Sequence, residues 1–473
     1  MRSAPRARSA GGKFQPCVRT RANPLSWAPF PGGRSASTQP ACGPPDNLAR
    51  ATRPSKLFLT QFIEYVELFL LTRSAGPGIG RYAGDTRGGF ARVTAVASIA
   101  LALWLYLLLA RGAFWRCSER DDWGPAELPA WPRVAAVVPA RNEADCIGDS
   151  IGSLLAQDYG GEWTVILVDD DSGDGTAEIA RRVANGDARL RVVRSRGLPA
   201  GWTGKLWAAK QGVDAASALP QPPDYLLLTD ADIMHAPDSV SRLVAHAERQ
   251  HLVLTSLMVK LNCESFAERA AIPAFIFFFQ MLYPFSCVNR PESAVAAAAG
   301  GCMLIRADAL RNAGGIEAVR AALIDDCALA KALKAQGPIW LGLTERVHSV
   351  RRYPAGADIR RMVARSAYAQ LRYSPLLLLA MMALMALTFL VPPLATIFGS
   401  GAARWIGAGG WALMFVAFQP TLRFYRLSPL WGLALPAIAL QYMLYTLDSA
   451  HQYMRGQGGS WKGRVQANVS ERR

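Results

Sequence analysis

Trp163-Thr164-Val165-Ile166-Leu167-Val168-Asp169-Asp170-Asp171 runs six apolar or β-branched residues directly into three carboxylates. A continuous run of this kind, without alternation, suits a strand buried on both faces. Similar short runs stand at 134–138, ending in Pro139, at 190–193, and at 225–229, ending in Asp230. Helix-like stretches at 145–156, 176–183 and 205–215 separate them. Strands alternating with helices predict an α/β domain whose parallel sheet is covered on both faces. In such sheets a ligand sits at the carboxyl ends of the strands, beside the topological switch point. Asp169–Asp171 and Asp230 fall at such ends, and the functional reading starts there.

Four blocks carry chemistry. Val137-Val138-Pro139-Ala140-Arg141-Asn142-Glu143 leaves the first strand for a helix, where N–H groups and a cationic side chain can meet an anion. Val168-Asp169-Asp170-Asp171-Ser172-Gly173-Asp174-Gly175-Thr176 offers carboxylates to nucleobase N–H or ribose hydroxyl groups on a glycine-permitted turn. It lacks the twelfth-position Glu of an EF-hand. Asp230-Ala231-Asp232 places two carboxylates on alternate positions at a strand end, a pattern that suits Mg2+ or Mn2+ completed by diphosphate oxygens and water. Leu323-Ile324-Asp325-Asp326-Cys327-Ala328-Leu329 opens an apolar helix with an acidic pair. Asp325 there suits a helix cap, and Asp326 suits a base that takes a proton from an attacking hydroxyl. Lys205, in Trp202-Thr203-Gly204-Lys205, is either a phosphate or carboxylate partner or a solvated lysine at a helix start. No GxxxxGK[ST] or GxGxxG occurs in the chain, against a P-loop NTPase or a dinucleotide dehydrogenase.

In this order the blocks resemble family-2 glycosyltransferases with the GT-A fold, over about residues 131–345. The hopene-associated subfamily is the closer likeness. It rests on Leu198-Pro199-Ala200-Gly201-Trp202-Thr203-Gly204-Lys205, Phe277-Phe278-Phe279-Gln280-Met281-Leu282-Tyr283-Pro284-Phe285, Ala299-Gly300-Gly301-Cys302-Met303 and Ile324-Asp325-Asp326-Cys327-Ala328-Leu329-Ala330. The resemblance implies a nucleotide-sugar donor contacted by Pro139, Arg141, Glu143, Asp169, Asp170, Lys205 and Asp230. It also implies Mg2+ or Mn2+ on Asp230 and Asp232, Asp326 as the base of an inverting transfer, and a lipid acceptor in a hopanoid context. The acidic pair, which usually begins with Glu, begins here with Asp325. The Gln-x-x-Arg-Trp motif of processive polymer synthases is replaced by Gln370-Leu371-Arg372-Tyr373, which argues against a processive synthase.

Charge-free apolar stretches at 93–110, 375–400, 405–422 and 427–447 are each about long enough to cross a ~30 Å hydrocarbon core. They predict one membrane helix before a catalytic region at 111–374 and about three after it, in a bacterial-type inner membrane with the catalytic domain cytosolic. The net charge is +16, and residues 1–92 hold fourteen Lys and Arg against four acids. That tail, without a sustained period, reads as disordered, with an amphipathic stretch at 57–71. With no methionine between Met1 and Met234, a further expectation is that translation starts near Val93 at a non-AUG codon. A peptide from residues 1–92 in the native protein's mass spectrum would refute that start. No nucleic-acid-binding module accompanies the basic residues, so no nucleic-acid partner is expected. The eight cysteines form no CxxC or zinc spacing and read as reduced thiols.

Arg360, Arg361, Arg365 and Arg372, and then Arg423 and Arg426, favour cytosolic placement of their loops. Three C-terminal crossings would put the basic tail (Arg455, Lys462, Arg464, Arg472, Arg473) outside, unless one segment is re-entrant. The run 271–285 is apolar but carries Pro273 and Pro284, which leave too short a helix for a crossing of about 20 residues. It is either a core helix or an interfacial segment bringing a lipid to Asp326.

Overall fold

The computed structural model describes residues 86–124, 127–461 and 464–465. Of the expected basic tail, residues 1–85 lie outside the described residues, as does the 57–71 stretch. Residues 86–92 belong to a helix, Thr86–Leu109, so the first apolar segment opens earlier than expected.

Eight strands form one sheet: β1 (Val134–Ala140), β2 (Trp163–Asp169), β3 (Leu190–Arg194), β4 (Tyr225–Thr229), β5 (Ile233–His235), β6 (Leu254–Lys260), β7 (Cys302–Arg306) and β8 (Ile339–Ser349). Their order is β3-β2-β1-β4-β7-β6-β8-β5. The β3-β2-β1-β4 half is parallel, as expected. The other half departs from that expectation. β7 runs antiparallel to both β4 and β6, and β5 antiparallel to β8, so the sheet is mixed. The strand order reverses between β1 and β4, which puts the switch point where Pro139 and Asp230 emerge.

Alternate residues of β2 reach opposite faces. Val165 and Leu167 join a core with Val134, Ile151 and Leu243, whereas Ile166 and Val168 join one with Val137, Leu206 and Ile272. Burial on both faces is why β1, β2 and β4 read as unbroken apolar runs. Gly212, in the helix Gly204–Ser217, lies so close to β1 that a Cβ there would meet Val137 Cγ1 at 2.3 Å.

Among the described residues, four helices are long and apolar enough to cross a membrane: Phe90–Leu109, Phe266–Val288, Pro375–Phe398 and Pro429–Met454. Three overlap expected segments. The stretch 405–422 falls in a helix, Gly401–Phe424, outside this set, and Phe266–Val288 enters it unexpectedly. Pro273 does not break its helix, which runs Phe266–Leu282. The proline forfeits one backbone donor. That loss is offset by packing on two sides: Ile272 and Ile276 fill the sheet core, whereas Ala271, Ala274 and Phe277 fill a second core with Trp104, Phe418 and Tyr442. Phe278, which the interfacial alternative would put on an exposed aromatic face, lies 5.5 Å from Phe389 and 5.1 Å from Tyr442 (ring centroids), as the core alternative expects. The run is therefore a packed helix joining the sheet to the apolar helices. Phe277→Ala should cost about 3–5 kcal/mol, the range for a buried Phe. Thermal unfolding in detergent reads this as a clear fall in Tm, and an unchanged Tm would return Phe277 to the lipid face.

Candidate active site

The loops that follow β1 and β2 are laced together. The Asn142 amide donates to Ser172 Oγ (3.0 Å), the Glu143 amide to Thr176 Oγ1 (2.9 Å), and the Gly173 amide to Asn142 Oδ1 (3.0 Å). Asn142 and Asp171 adopt left-handed φ values of 50° and 57°, a conformation Asn and Asp tolerate better than most residues. Arg141 donates through Nη1 to the carbonyls of Asp170 and Asp171, and its Nη1 is 3.9 Å from the Asp170 carboxylate. Its buried Nε has no hydrogen-bond partner. Asp169 turns away to accept from the Ser172 amide (3.2 Å) and shapes the loop.

One cleft at the switch point is lined by Pro139, Lys205, Asp230, Gly300, Asp325 and Asp326, with Leu228, Met303, Ile316 and Leu329 behind them. Lys205 Nζ is 2.7 Å from Asp230 Oδ1 and 3.9 Å from Asp325 Oδ2. Burial alone would lower the Lys205 pKa, but the two carboxylates outweigh it and the ammonium is held charged. Burial raises the Asp230 pKa, and Asp232 adds to that rise while Lys205 opposes it.

Asp325 does not cap its helix, Asp325–Lys334. Ile324 occupies the cap position and offers no side-chain bond. Asp326 takes the amides instead, Oδ2 accepting from Gly300 (3.0 Å) and Oδ1 from Cys327 (2.7 Å). Burial, reinforced by the neighbouring Asp325 charge, pushes its pKa up to about 6. A Cβ on Gly300 would stand 3.4 Å from Asp326 Oδ2 and 3.5 Å from Lys205 Nζ, so this glycine keeps the space between acid and lysine open.

A second cluster forms around Arg351, two residues past β8. Its Nη2 is 2.6 Å from Glu143 Oε2 and its Nε 2.9 Å from Asp232 Oδ2, which also accepts from Ser349 Oγ (3.0 Å). Burial works against the Arg351 charge, but Asp232 and Glu143 raise its pKa overall. Neither Arg351 nor Ser349 stood out in the sequence, where Val350-Arg351-Arg352-Tyr353 looks like a solvated basic pair. The only available signal was its position shortly after the mostly apolar run 339–343.

Asp230 and Asp232 thus each already face a cation. They supply hard oxygen donors, and among the described residues no group of three or more His, Cys, Asp or Glu side chains converges. Two carboxylates with the remaining positions left to water and phosphate is the set Mg2+ accepts, so these residues fit a divalent ion carried with a diphosphate.

An open sheet with its acids gathered at the switch point defines an α/β protein whose ligand cleft lies at the carboxyl ends of its strands. Residues 135–314 match the family model for Glycosyl transferase family 2. An N-acetylglucosaminyltransferase from Bradyrhizobium is 34% identical over 155 residues, which cover 32% of this chain and 94% of that one. The undecaprenyl-phosphate 4-deoxy-4-formamido-L-arabinose transferase of Edwardsiella ictaluri is 27% identical over 142 residues, 29% of this chain; the match spans only 41% of that relative's length. A mannosyltransferase from Pyrobaculum calidifontis, solved in complex with GDP-Man and Mn2+, aligns with TM-score 0.44 at 18% identity, over 76% of this chain and 99% of its own. The chain belongs to glycosyl transferase family 2. It is a glycosyltransferase with a mixed α/β, GT-A-like fold.

Proposed function

We propose that this glycosyltransferase is membrane-anchored and inverting, moving a sugar from a nucleoside-diphosphate donor to a lipid acceptor, with Asp326 as base. The observation that carries this reading is the position of Asp326 in the cleft, fixed by two backbone amides beside Lys205 and Asp230. Glu143, Asp170 and Arg141 hold the nucleoside end at the β1 and β2 loops. Lys205 meets the anionic diphosphate. Asp230 and Asp232 would hold Mg2+ or Mn2+, which supplies compensation of the diphosphate charge as the leaving group departs. The acceptor oxygen bonds to the anomeric carbon on the face opposite the leaving group, and the bond from that carbon to the diphosphate breaks. The hydroxyl proton passes to Asp326, leaving a glycosylated lipid with inverted configuration and a nucleoside diphosphate.

A lipid acceptor is supported by the apolar helices that pack on the catalytic region. A hopanoid acceptor rests on the subfamily likeness alone. The similarity to an undecaprenyl-phosphate sugar transferase favours a second acceptor, a polyprenyl phosphate. A phosphate monoester is already ionised near neutrality and has little need of a base, so the two acceptors differ in how far they depend on Asp326. We place the catalytic region at 111–374 on the cytosolic side, with membrane segments before and after it.

The test is donor-dependent sugar transfer by purified full-length protein in nanodiscs, with candidate nucleotide sugars and a lipid extract. Absence of any transfer would overturn the proposal. For a hydroxyl acceptor, the carboxylate form of Asp326 is the active one. That form falls about tenfold per pH unit below its pKa, so kcat should drop below pH about 6 and level off above it. A profile flat down to pH 4.5 would remove Asp326 from the proton transfer.

A further inference from the structure

We propose that the helix Leu435–Met454 lies in the plane of the membrane, docked on the catalytic region along its length, and that its exposed leucine stripe enters the acyl–headgroup boundary of an anionic leaflet. The chain after it then stays on the catalytic side. Length and composition alone allow this helix to cross.

Its contacts place it otherwise. Just before its start, Trp431 lies 5.4 Å from Phe266, at the beginning of the Phe266–Leu282 helix. Further along, Tyr442 donates to the Ala271 carbonyl (2.9 Å) and Tyr445 to that of Gly356 (3.3 Å). At its far end Asp448 pairs with Arg360 (3.6 Å), the Tyr368 amide donates to Ser449 Oγ (3.1 Å), and Tyr453 stacks on Tyr373 (4.2 Å). The 20-residue helix is about 30 Å long at ~1.5 Å per residue, and elements of the catalytic region touch the chain just before its start and again at its end. A helix crossing the bilayer would leave that region behind at one end. It would also carry its neighbour Gly356–Ala364 into hydrocarbon, where the guanidiniums of Arg360 and Arg361, 50% and 72% exposed, are costly.

The face turned away from the catalytic region is apolar. Leu433, Leu440, Leu444 and Leu447 are 49%, 43%, 56% and 44% exposed and recur at helical spacing. Arg360, Arg361 and Arg455 flank that stripe, a charge pattern that suits anionic headgroups above buried acyl chains.

The two preceding helices behave differently. Pro375–Phe398 and Gly401–Phe424 form a hairpin so close that a Cβ at Gly407 would meet the Pro392 carbonyl at 2.7 Å. Phe424 at its end returns to Lys260 of β6, 4.7 Å from the ring centroid. With the less apolar Gly401–Phe424 crossing as the hairpin's return arm, two crossings and one in-plane helix leave the basic tail with the other arginine-rich loops, which removes the conflict with the positive-inside pattern.

The inference rests on membrane insertion but not on the transfer reaction, and its test needs no activity. In the full-length protein, Ser400→Cys, Gln457→Cys and Gln250→Cys report the hairpin turn, the tail and the catalytic region to a membrane-impermeant maleimide, with the parent's cysteines as background. Gln457→Cys should label together with Gln250→Cys and opposite to Ser400→Cys. In nanodiscs containing anionic phospholipid, spin labels at Leu440→Cys, Leu444→Cys and Leu447→Cys should report one common depth. A crossing helix would separate the first and last by about 10 Å. Labelling of Gln457→Cys from the Ser400 side, or a graded depth across the three positions, would overturn the proposal.

Discussion

Asp232→Ala is expected to abolish sugar transfer while the folded protein persists. The substitution removes one of the two carboxylates proposed to hold a divalent ion, which on that reading leaves the diphosphate charge uncompensated. Charge compensation by a bound metal is worth several kcal/mol, and a loss of about 4 kcal/mol corresponds to roughly 10³-fold in rate. The fold should tolerate the change because Arg351 keeps its 2.6 Å contact with Glu143, and Asp232 lies at the edge of the sheet rather than in either core. Excess chelator should have the same effect on the unaltered enzyme. Full turnover under chelation, or a D232A variant with ordinary kcat, would remove the metal from the proposal.

Asp326→Asn should leave donor affinity nearly intact and lower kcat by about 10²–10⁴-fold, the usual contribution of a general base. The amide oxygen can still accept from the Gly300 or Cys327 amide, so the loop should hold its shape. The acid limb of the pH profile should vanish with the carboxylate. A small loss with a polyprenyl phosphate acceptor, beside a large loss with a lipid alcohol, would identify which acceptor class uses the base. Wild-type kcat on both would make Asp326 a structural residue.

The parallel half of the sheet was legible because β1, β2 and β4 are covered on both faces, which writes each as a continuous apolar run. Tyr225–Thr229 has the same bounds in sequence and structure for that reason. The antiparallel half was not legible. Cys302–Arg306 is five residues long and pairs with β4 and β6 across long sequence separations, and strand direction leaves no local mark. Pro273 misled because a proline in a helix interior normally ends the helix; packing on both faces carries this one through. Of the expected site residues, Pro139, Lys205, Asp230 and Asp326 share one cleft, and Glu143 and Asp232 meet through Arg351. The side-chain partners Arg351 and Ser349 enter from the far end of β8, more than a hundred residues from either carboxylate, and no local pattern announces them.

The pairing of Lys205 with Asp230 and of Arg351 with Asp232 bears on the order in which components assemble. A free divalent ion approaching this site meets carboxylates already paired with cations, and it must displace the Lys205 ammonium, left with Asp325 at 3.9 Å, or the Arg351 guanidinium, left with Glu143 alone. When the ion arrives with a diphosphate, both displaced cations gain phosphate oxygens as new partners. Metal affinity should accordingly be weak alone and strengthen sharply with nucleotide present, and the linkage is reciprocal. Calorimetric titration of metal with and without nucleoside diphosphate would measure that coupling directly. On the proposed reading such a site would take up its ion together with substrate, and between turnovers Lys205 and Arg351 would offset part of its negative charge.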